Sequence, residues 1–176
     1  ASFEALKVGT PEMDLDCGPL INARQCDKVC SFIAEAAAMG VPKLAEGRLA
    51  PGVPSEGYFV KPVLFGPVPR GHRLACQEVF GPVLSVMPFT DEDDAVQLAN
   101  ATDYGLVAGI WTENGSRQAR LAQRIASGQV FINCYGAGGG VELPFGGVKK
   151  SGYGREKGFL ALEEMSTIKT IVQHYE

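Results

Sequence analysis

The stretch Cys76-Gln77-Glu78-Val79-Phe80-Gly81-Pro82-Val83 puts a carboxylate, an aromatic ring and a Gly-Pro turn close together, beside a thiol. An ionised carboxylate accepts two hydrogen bonds from a vicinal diol such as a ribose, and a ring two residues away lies against a flat heterocycle. On an extended segment the side chains of Glu78 and Phe80 point to the same side, as one ligand requires, and Gly81 and Pro82 stiffen the presentation. Composition alone favours a plainer reading, a solvated charge next to a core aromatic ahead of a strand.

Other groupings carry less. Gly136-Ala137-Gly138-Gly139-Gly140-Val141 follows a strand, as a dinucleotide fingerprint does. Val141 takes the place of the third glycine, however, and Pro144 stands where a helix must begin, so a pyrophosphate would find no helix N-terminus. A mobile or substrate-lining loop is expected there. Cys26 and Cys30 share a helix face in a spacing that a metal accepts. His72 and His174 are remote in sequence and no second cysteine pair exists, so core packing is the stronger reading and no metal is expected. Neither histidine has a neighbouring Ser or Cys that suggests a triad, and both read as exposed loop residues.

These groups need elements to position them. In residues 22–39, Cys26, Val29, Cys30, Ile33 and Ala37 recur at helical steps and Gly40 follows in a terminating position, which predicts an amphipathic helix. Residues 51–57 are rich in turn formers, and residues 58–65 read as a strand in which Pro62 favours an edge. An apolar run over 83–89 leads to Thr90 as N-cap, with Asp91, Glu92, Asp93 and Asp94 at the helix N-terminus and Ala95, Leu98 and Ala99 on the apolar face. A strand over 106–111 follows, then Ser116 as a second N-cap, a helix burying Ala119, Ala122, Ile125 and Ala126 up to Gly128, and a strand over 130–133. This alternation predicts the α/β class, a parallel sheet in a three-layer αβα domain, with ligands gathered beyond the carboxyl ends of the strands. Ile168-Lys169-Thr170-Ile171-Val172 alternates as a strand does, and its partner is expected in another subunit.

Composition narrows the classes. The 176 residues carry a formal charge of -4 and no basic run longer than Lys149-Lys150, which argues against nucleic acid. The most apolar stretch, 29–41, is interrupted by Glu35 and is too short to span a bilayer, so no membrane partner is expected. Five cysteines, an odd number at irregular spacing without a leader at Ala1, point to reduced thiols and a cytoplasmic location. The first residue is not Met, which fits processing or a longer parent chain.

Gln77-Glu78-Val79-Phe80-Gly81-Pro82-Val83, then Asn133-Cys134, then Pro144-Phe145-Gly146-Gly147-Val148-Lys149-Lys150-Ser151-Gly152-Tyr153-Gly154-Arg155-Glu156, in this order and spacing, closely resemble the C-terminal part of the aldehyde dehydrogenase superfamily. The resemblance runs from about Val8 to Val172. It implies that Glu78 holds the nicotinamide ribose hydroxyls of NAD or NADP and that Phe80 packs beside the nicotinamide. It further implies that Phe145 lines the aldehyde tunnel, that residues 135–143, beginning with Tyr135, shape substrate entry, and that Glu156 ends a proton path behind the active site. An Arg155-Glu156 surface pair at a helix start is the plainer reading of Glu156.

The same resemblance marks what these residues lack. Family members attack the aldehyde with a cysteine, pass hydride from the thiohemiacetal to NAD(P), and hydrolyse a thioester with a glutamate base. That cysteine, the base, the oxyanion-hole asparagine and the nucleotide-binding domain all precede the segment matching Val8-Gly9-Thr10-Pro11. Cys76 is therefore read as a buried or incidental thiol, and the 176 residues alone are expected not to oxidise aldehydes. The expected organisation is a partial catalytic domain over 1–160 and a helix end with an oligomerisation strand over 161–176. The expected partners are the N-terminal half of the same enzyme, an aldehyde, and further copies in a homodimer or homotetramer. A stand-alone binding or oligomerisation module is the alternative, and an acyl transferase using Cys134 or Cys76 is a third reading.

Overall fold

Asn22 accepts a hydrogen bond from the Gln25 amide and opens helix α1 (Ala23–Ala38), and Gly40, at φ +72°, follows its end as predicted. The computed structural model describes residues 3–136 and 140–175, and the chain divides into two compact units, Ala1–Phe89 and Thr90–Glu176. The buried face of α1 is Val29, Phe32 and Ala36, with Cys26 and Ile33 packed at its margin. Cys30 and Ala37, expected inside, are exposed. Phe32 turns the face by about one residue: its ring is the largest apolar group on the helix, and the Arg73 guanidinium caps it 3.7 Å from the ring centroid.

The first unit also contains β1 (Lys7–Val8), β2 (Lys43–Glu46), β3 (Arg48–Leu49), β4 (Val63–Phe65), the short helix α2 (Arg73–Cys76) and β5 (Val83–Ser85). β1 pairs in parallel with β3, while β4 pairs antiparallel with β2 and parallel with β5. The strand expected over 58–65 is thus shorter, and it lies in the centre of its ladder instead of at an edge. Pro62 is fully buried one residue ahead of the ladder, where no donor is needed, and its carbonyl accepts from Gly47. Val63 and Phe65 meet the α1 face together with Val41, Val60, Val68, Leu74 and Val79. Burial of Phe32 and Phe65 stabilises this core by about 2–3 kcal/mol each. His72 is buried, and its Nδ1 accepts from the Leu74 amide at 3.0 Å as the cap of α2. The exposed-loop reading of His72 is therefore corrected. A side chain that caps a core helix is drawn inward with it.

The second unit runs α3 (Glu92–Asn100), β6 (Tyr104–Gly105), β7 (Val107–Ile110), α4 (Gly115–Arg124), β8 (Gln129–Ile132), β9 (Val148–Lys149) and α5 (Gly158–Glu164). β7 and β8 are parallel, in register from Val107 opposite Gln129 to Ile110 opposite Ile132, and α4 joins them as the expected βαβ unit. β6 and β9 pair antiparallel, a contact between distant segments that local patterning did not reveal. The α/β class holds, with parallel and antiparallel pairings in ladders of two or three strands among the described residues.

Both caps differ from expectation by one or two residues. Asp91, not Thr90, accepts from the Asp94 amide, and Asn114, not Ser116, accepts from the Arg117 amide, each at 2.9 Å. Thr90 instead donates to the Asp94 carboxylate. α4 ends at Arg124, with Ile125 as its C-cap, ahead of the expected stop at Gly128; Ala119 and Ala126 are exposed and Ala122 and Ile125 half-buried. The cause is Asn100, whose side chain accepts from the Ala126 amide and donates to the Arg124 carbonyl, diverting the chain from the helix. α4 is held to α3 by charge, with Glu92 between Arg117 and Arg120, and Asp93 on Arg124.

Residues 166–175 form no ladder with the other described residues, and Ile168, Ile171 and Val172 are exposed. No helix among the described residues is long and apolar enough to cross a membrane.

Candidate functional site

The Glu78–Phe80 segment is held by α1. Gln25 Nε2 donates to the carbonyls of both Val79 and Phe80 at 2.9 Å, and Lys28 Nζ donates to the Glu78 carbonyl at 3.3 Å. Val79 is buried and pins the segment to the core, while Glu78 and Phe80 on either side are exposed. Phe80 has φ +59°, a left-handed conformation that a bulky side chain adopts at a cost of about 1–3 kcal/mol. The extended geometry assumed from sequence therefore does not continue through Phe80, and the same-side argument for Glu78 and Phe80 falls with it. In its place the structure shows a strained residue, 71% exposed, whose own carbonyl and that of Val79 before it accept from Gln25. Gly81 is required next to it, since a Cβ there would lie 2.5 Å from Val29 Cγ2 in the core. Cys76, expected to be buried or incidental, is exposed at the end of α2 and donates to the Arg70 carbonyl at 3.3 Å.

In the second unit Asn133, at φ +52°, accepts from the Thr112 amide and donates to its carbonyl, each at 2.9 Å. This ties together the carboxyl ends of β7 and β8, where ligands of α/β sheets gather. Cys134 and Tyr135 follow directly, both exposed, and the Tyr135 ring lies tilted against Phe131 with 6.1 Å between centroids. The glycine-rich loop then begins; its residues 137–139 lie outside the described residues.

Phe145 and Glu156, eleven positions apart, are direct partners in an antiparallel bridge with reciprocal backbone hydrogen bonds of 2.7 Å. Opposed residues of such a bridge project to the same face, so the ring and the carboxylate are neighbours. The Lys157 ammonium sits 5.4 Å from the Phe145 centroid. Arg155 does not form the surface pair with Glu156 that the plainer reading proposed. Its Nη1 donates to the Gly147 and Gly154 carbonyls, stitching the two glycine-rich segments. Glu156 is exposed, and helix α5 starts two residues after it. Phe145, Ser151, Arg155, Glu156 and Lys157 line a cleft of about 720 Å³. Lys150 donates to Asp103 at 2.6 Å, which holds the Asp103 carboxyl below its usual range and the Lys150 ammonium above its own. Among the described residues no three His, Cys, Asp or Glu side chains group as metal ligands do.

The sequence pattern of the aldehyde dehydrogenase family matches residues 1–171. The chain belongs to the aldehyde dehydrogenase family. It is 39% identical over 172 residues to a betaine aldehyde dehydrogenase of Rhizobium leguminosarum bv. trifolii, a match covering 97% of this chain and 35% of that protein. Among solved structures, a candidate aldehyde dehydrogenase from Burkholderia cenocepacia matches with a TM-score of 0.93 at 58% identity, over 97% of this chain and 36% of that one. A Mycobacterium tuberculosis aldehyde dehydrogenase complexed with NAD+ matches with a TM-score of 0.83 at 36% identity, over 91% of this chain and 33% of that one. The chain thus spans about a third of the length of the curated relatives it matches.

Two residues that matter to this geometry escaped the sequence reading. Gln25 stands three residues after Asn22, the spacing of a capping box, where a glutamine is read as reaching back to its own helix start. Its contacts lie 54 and 55 residues away instead. Asn133 was quoted only as part of a motif. A non-glycine residue able to take a positive φ at a strand end was the available signal.

Proposed function

We propose that the polypeptide carrying these residues oxidises an aldehyde to a carboxylic acid with NAD or NADP, and that this chain is its C-terminal portion. The observation that carries the proposal is the braced Glu78–Phe80 platform. An exposed carboxylate and an exposed ring, on a backbone tied down by Gln25, Val79 and Gly81, supply the two kinds of group that a ribose diol with an attached planar ring calls for. In this reading Glu78 accepts from the nicotinamide ribose hydroxyls and Phe80 packs beside the nicotinamide. When bound, the cofactor accepts the hydride that the aldehyde carbon loses. NAD+ in the complex of the Mycobacterium tuberculosis relative supports the NAD alternative. Phe145 and Tyr135 flank the aldehyde, and Glu156, on the same face as Phe145, passes a proton to or from the site.

The isolated 176-residue segment is expected to be inactive, because the attacking cysteine and general base of the family match none of its residues. Residues 168–172 are assigned to strand pairing with another subunit in a homodimer or homotetramer, and free thiols suit a cytoplasmic, reducing setting.

The test is Glu78→Gln in the intact polypeptide. Losing the charge while keeping the shape should raise the Kd for NAD(P) by about 10-fold or more, since hydrogen bonds to a charged group contribute about 1.5–3 kcal/mol. The aldehyde KM should stay within about twofold of its parent value. An unchanged cofactor Kd would remove Glu78 from the site.

A further inference from the structure

Helix α1 carries two thiols one turn apart, and neither is a fully packed core residue. Cys26 is half-buried at the core margin and Cys30 is exposed. Four residues apart on α1, the two side chains lie on the same face of the helix as neighbours. No other pair of cysteines shares an element of this fold.

The spacing selects what the pair can bind. On a helix, side chains four apart have Cβ atoms about 5–6 Å from each other. A disulfide requires about 3.5–4.5 Å and would distort the helical turn. One atom placed between the sulfurs removes that conflict, because each sulfur then bonds to the bridge and not to its neighbour. Tetrahedral zinc needs three or four protein ligands, and among the described residues no third His, Cys, Asp or Glu joins the pair. What remains is a soft centre satisfied by two sulfurs.

We propose that Cys26 and Cys30 form a vicinal-dithiol site that captures trivalent organoarsenicals and thiophilic centres of the same coordination. With an arsenical R–As=O the two S–H bonds and the As=O bond break and two S–As bonds form. Both thiol protons leave with the oxygen as one water, and arsenic stays trivalent, so no oxidant or reductant is needed. Burial pushes the Cys26 thiol up, with the Cys30 thiol and the Asp27 carboxylate adding to the effect, so the thiol is protonated at neutral pH. Such a thiol is a poor target for alkylating agents, which need the thiolate. Cys26 and Cys30 directly follow Gln25 and Val29, the residues that hold segment 79–81, so a bridge there stiffens or displaces the support of Phe80.

The experiment treats the intact protein with phenylarsine oxide and maps the adduct by mass spectrometry. The peptide containing Cys26 and Cys30 should gain one phenylarsenic group with loss of both thiol hydrogens. The adduct should survive 2-mercaptoethanol and be removed by 2,3-dimercaptopropanol. Either Cys30→Ser or Cys26→Ser should weaken capture on this peptide by roughly 100-fold or more, because the second sulfur then no longer acts intramolecularly. Cys76→Ser should leave it unchanged. Cys30 is exposed, so its serine variant keeps the core intact. Retention of the adduct on this peptide in Cys30→Ser, or a wild-type peptide that stays unmodified, would overturn the assignment. Neither readout depends on catalytic activity.

Discussion

Gln25→Met isolates the brace of the proposed cofactor platform. Methionine nearly matches glutamine in length and helix propensity but offers no donor, so α1 should persist while the bonds to the Val79 and Phe80 carbonyls disappear. Two neutral hydrogen bonds contribute about 1–3 kcal/mol net. The left-handed conformation of Phe80 costs about 1–3 kcal/mol, and without the brace that strain is released as the residue relaxes. The two effects offset each other in folding stability, so denaturant unfolding should show a loss of about 1 kcal/mol or less. They do not offset in cofactor binding, which on the proposed reading requires the strained form. If that form falls behind the relaxed one by about 1.4 kcal/mol, the apparent Kd for NAD(P) rises about 10-fold, by the fraction of competent molecules. Calorimetric titration of the intact enzyme with cofactor reads this directly, with the aldehyde KM as control. A Kd within about twofold of the parent, with a stability loss near 3 kcal/mol, would show Gln25 to be a structural tie only.

Gly81→Ala should destabilise the first unit by about 1–3 kcal/mol, because the new Cβ meets a fully buried Val29 that has nowhere to move; an unchanged melting temperature would show that α1 yields. Glu156→Gln should lower kcat about 10-fold or more while the cofactor Kd stays unchanged, and equal kcat values for the two proteins would dismiss the proton path. The Arg120 hydrogen bond, with Arg117 adding to it, holds the Glu92 carboxyl down at about 2 against its ordinary 4.5. A depressed carboxyl stabilises the fold fully above its unfolded value and loses that contribution as pH falls from 4.5 toward 2. Glu92→Gln should flatten the acid limb of an unfolding-versus-pH curve in that window, and a limb of unchanged steepness would place the acid sensitivity elsewhere.

Local chemistry was legible from the sequence wherever it is local in space. The periodicity of 22–39, the asparagine at its start and the glycine after its end specify α1, because capping and helix geometry involve only neighbouring residues. The β7-α4-β8 order and the family motifs were legible for the same reason. Tertiary structure decided what depends on partners far along the chain. It turned the buried face of α1 toward Phe32 and moved Cys30 to the surface. It drew His72 inward as a cap, made β4 central, and stopped α4 early through Asn100. It also forced Phe80 into a conformation that no propensity predicts, because two hydrogen bonds from Gln25 and a glycine against Val29 act together. Propensity records what a residue prefers when its neighbours in sequence are its only neighbours, whereas burial and long-range hydrogen bonds of comparable energy choose among those preferences once the chain has folded.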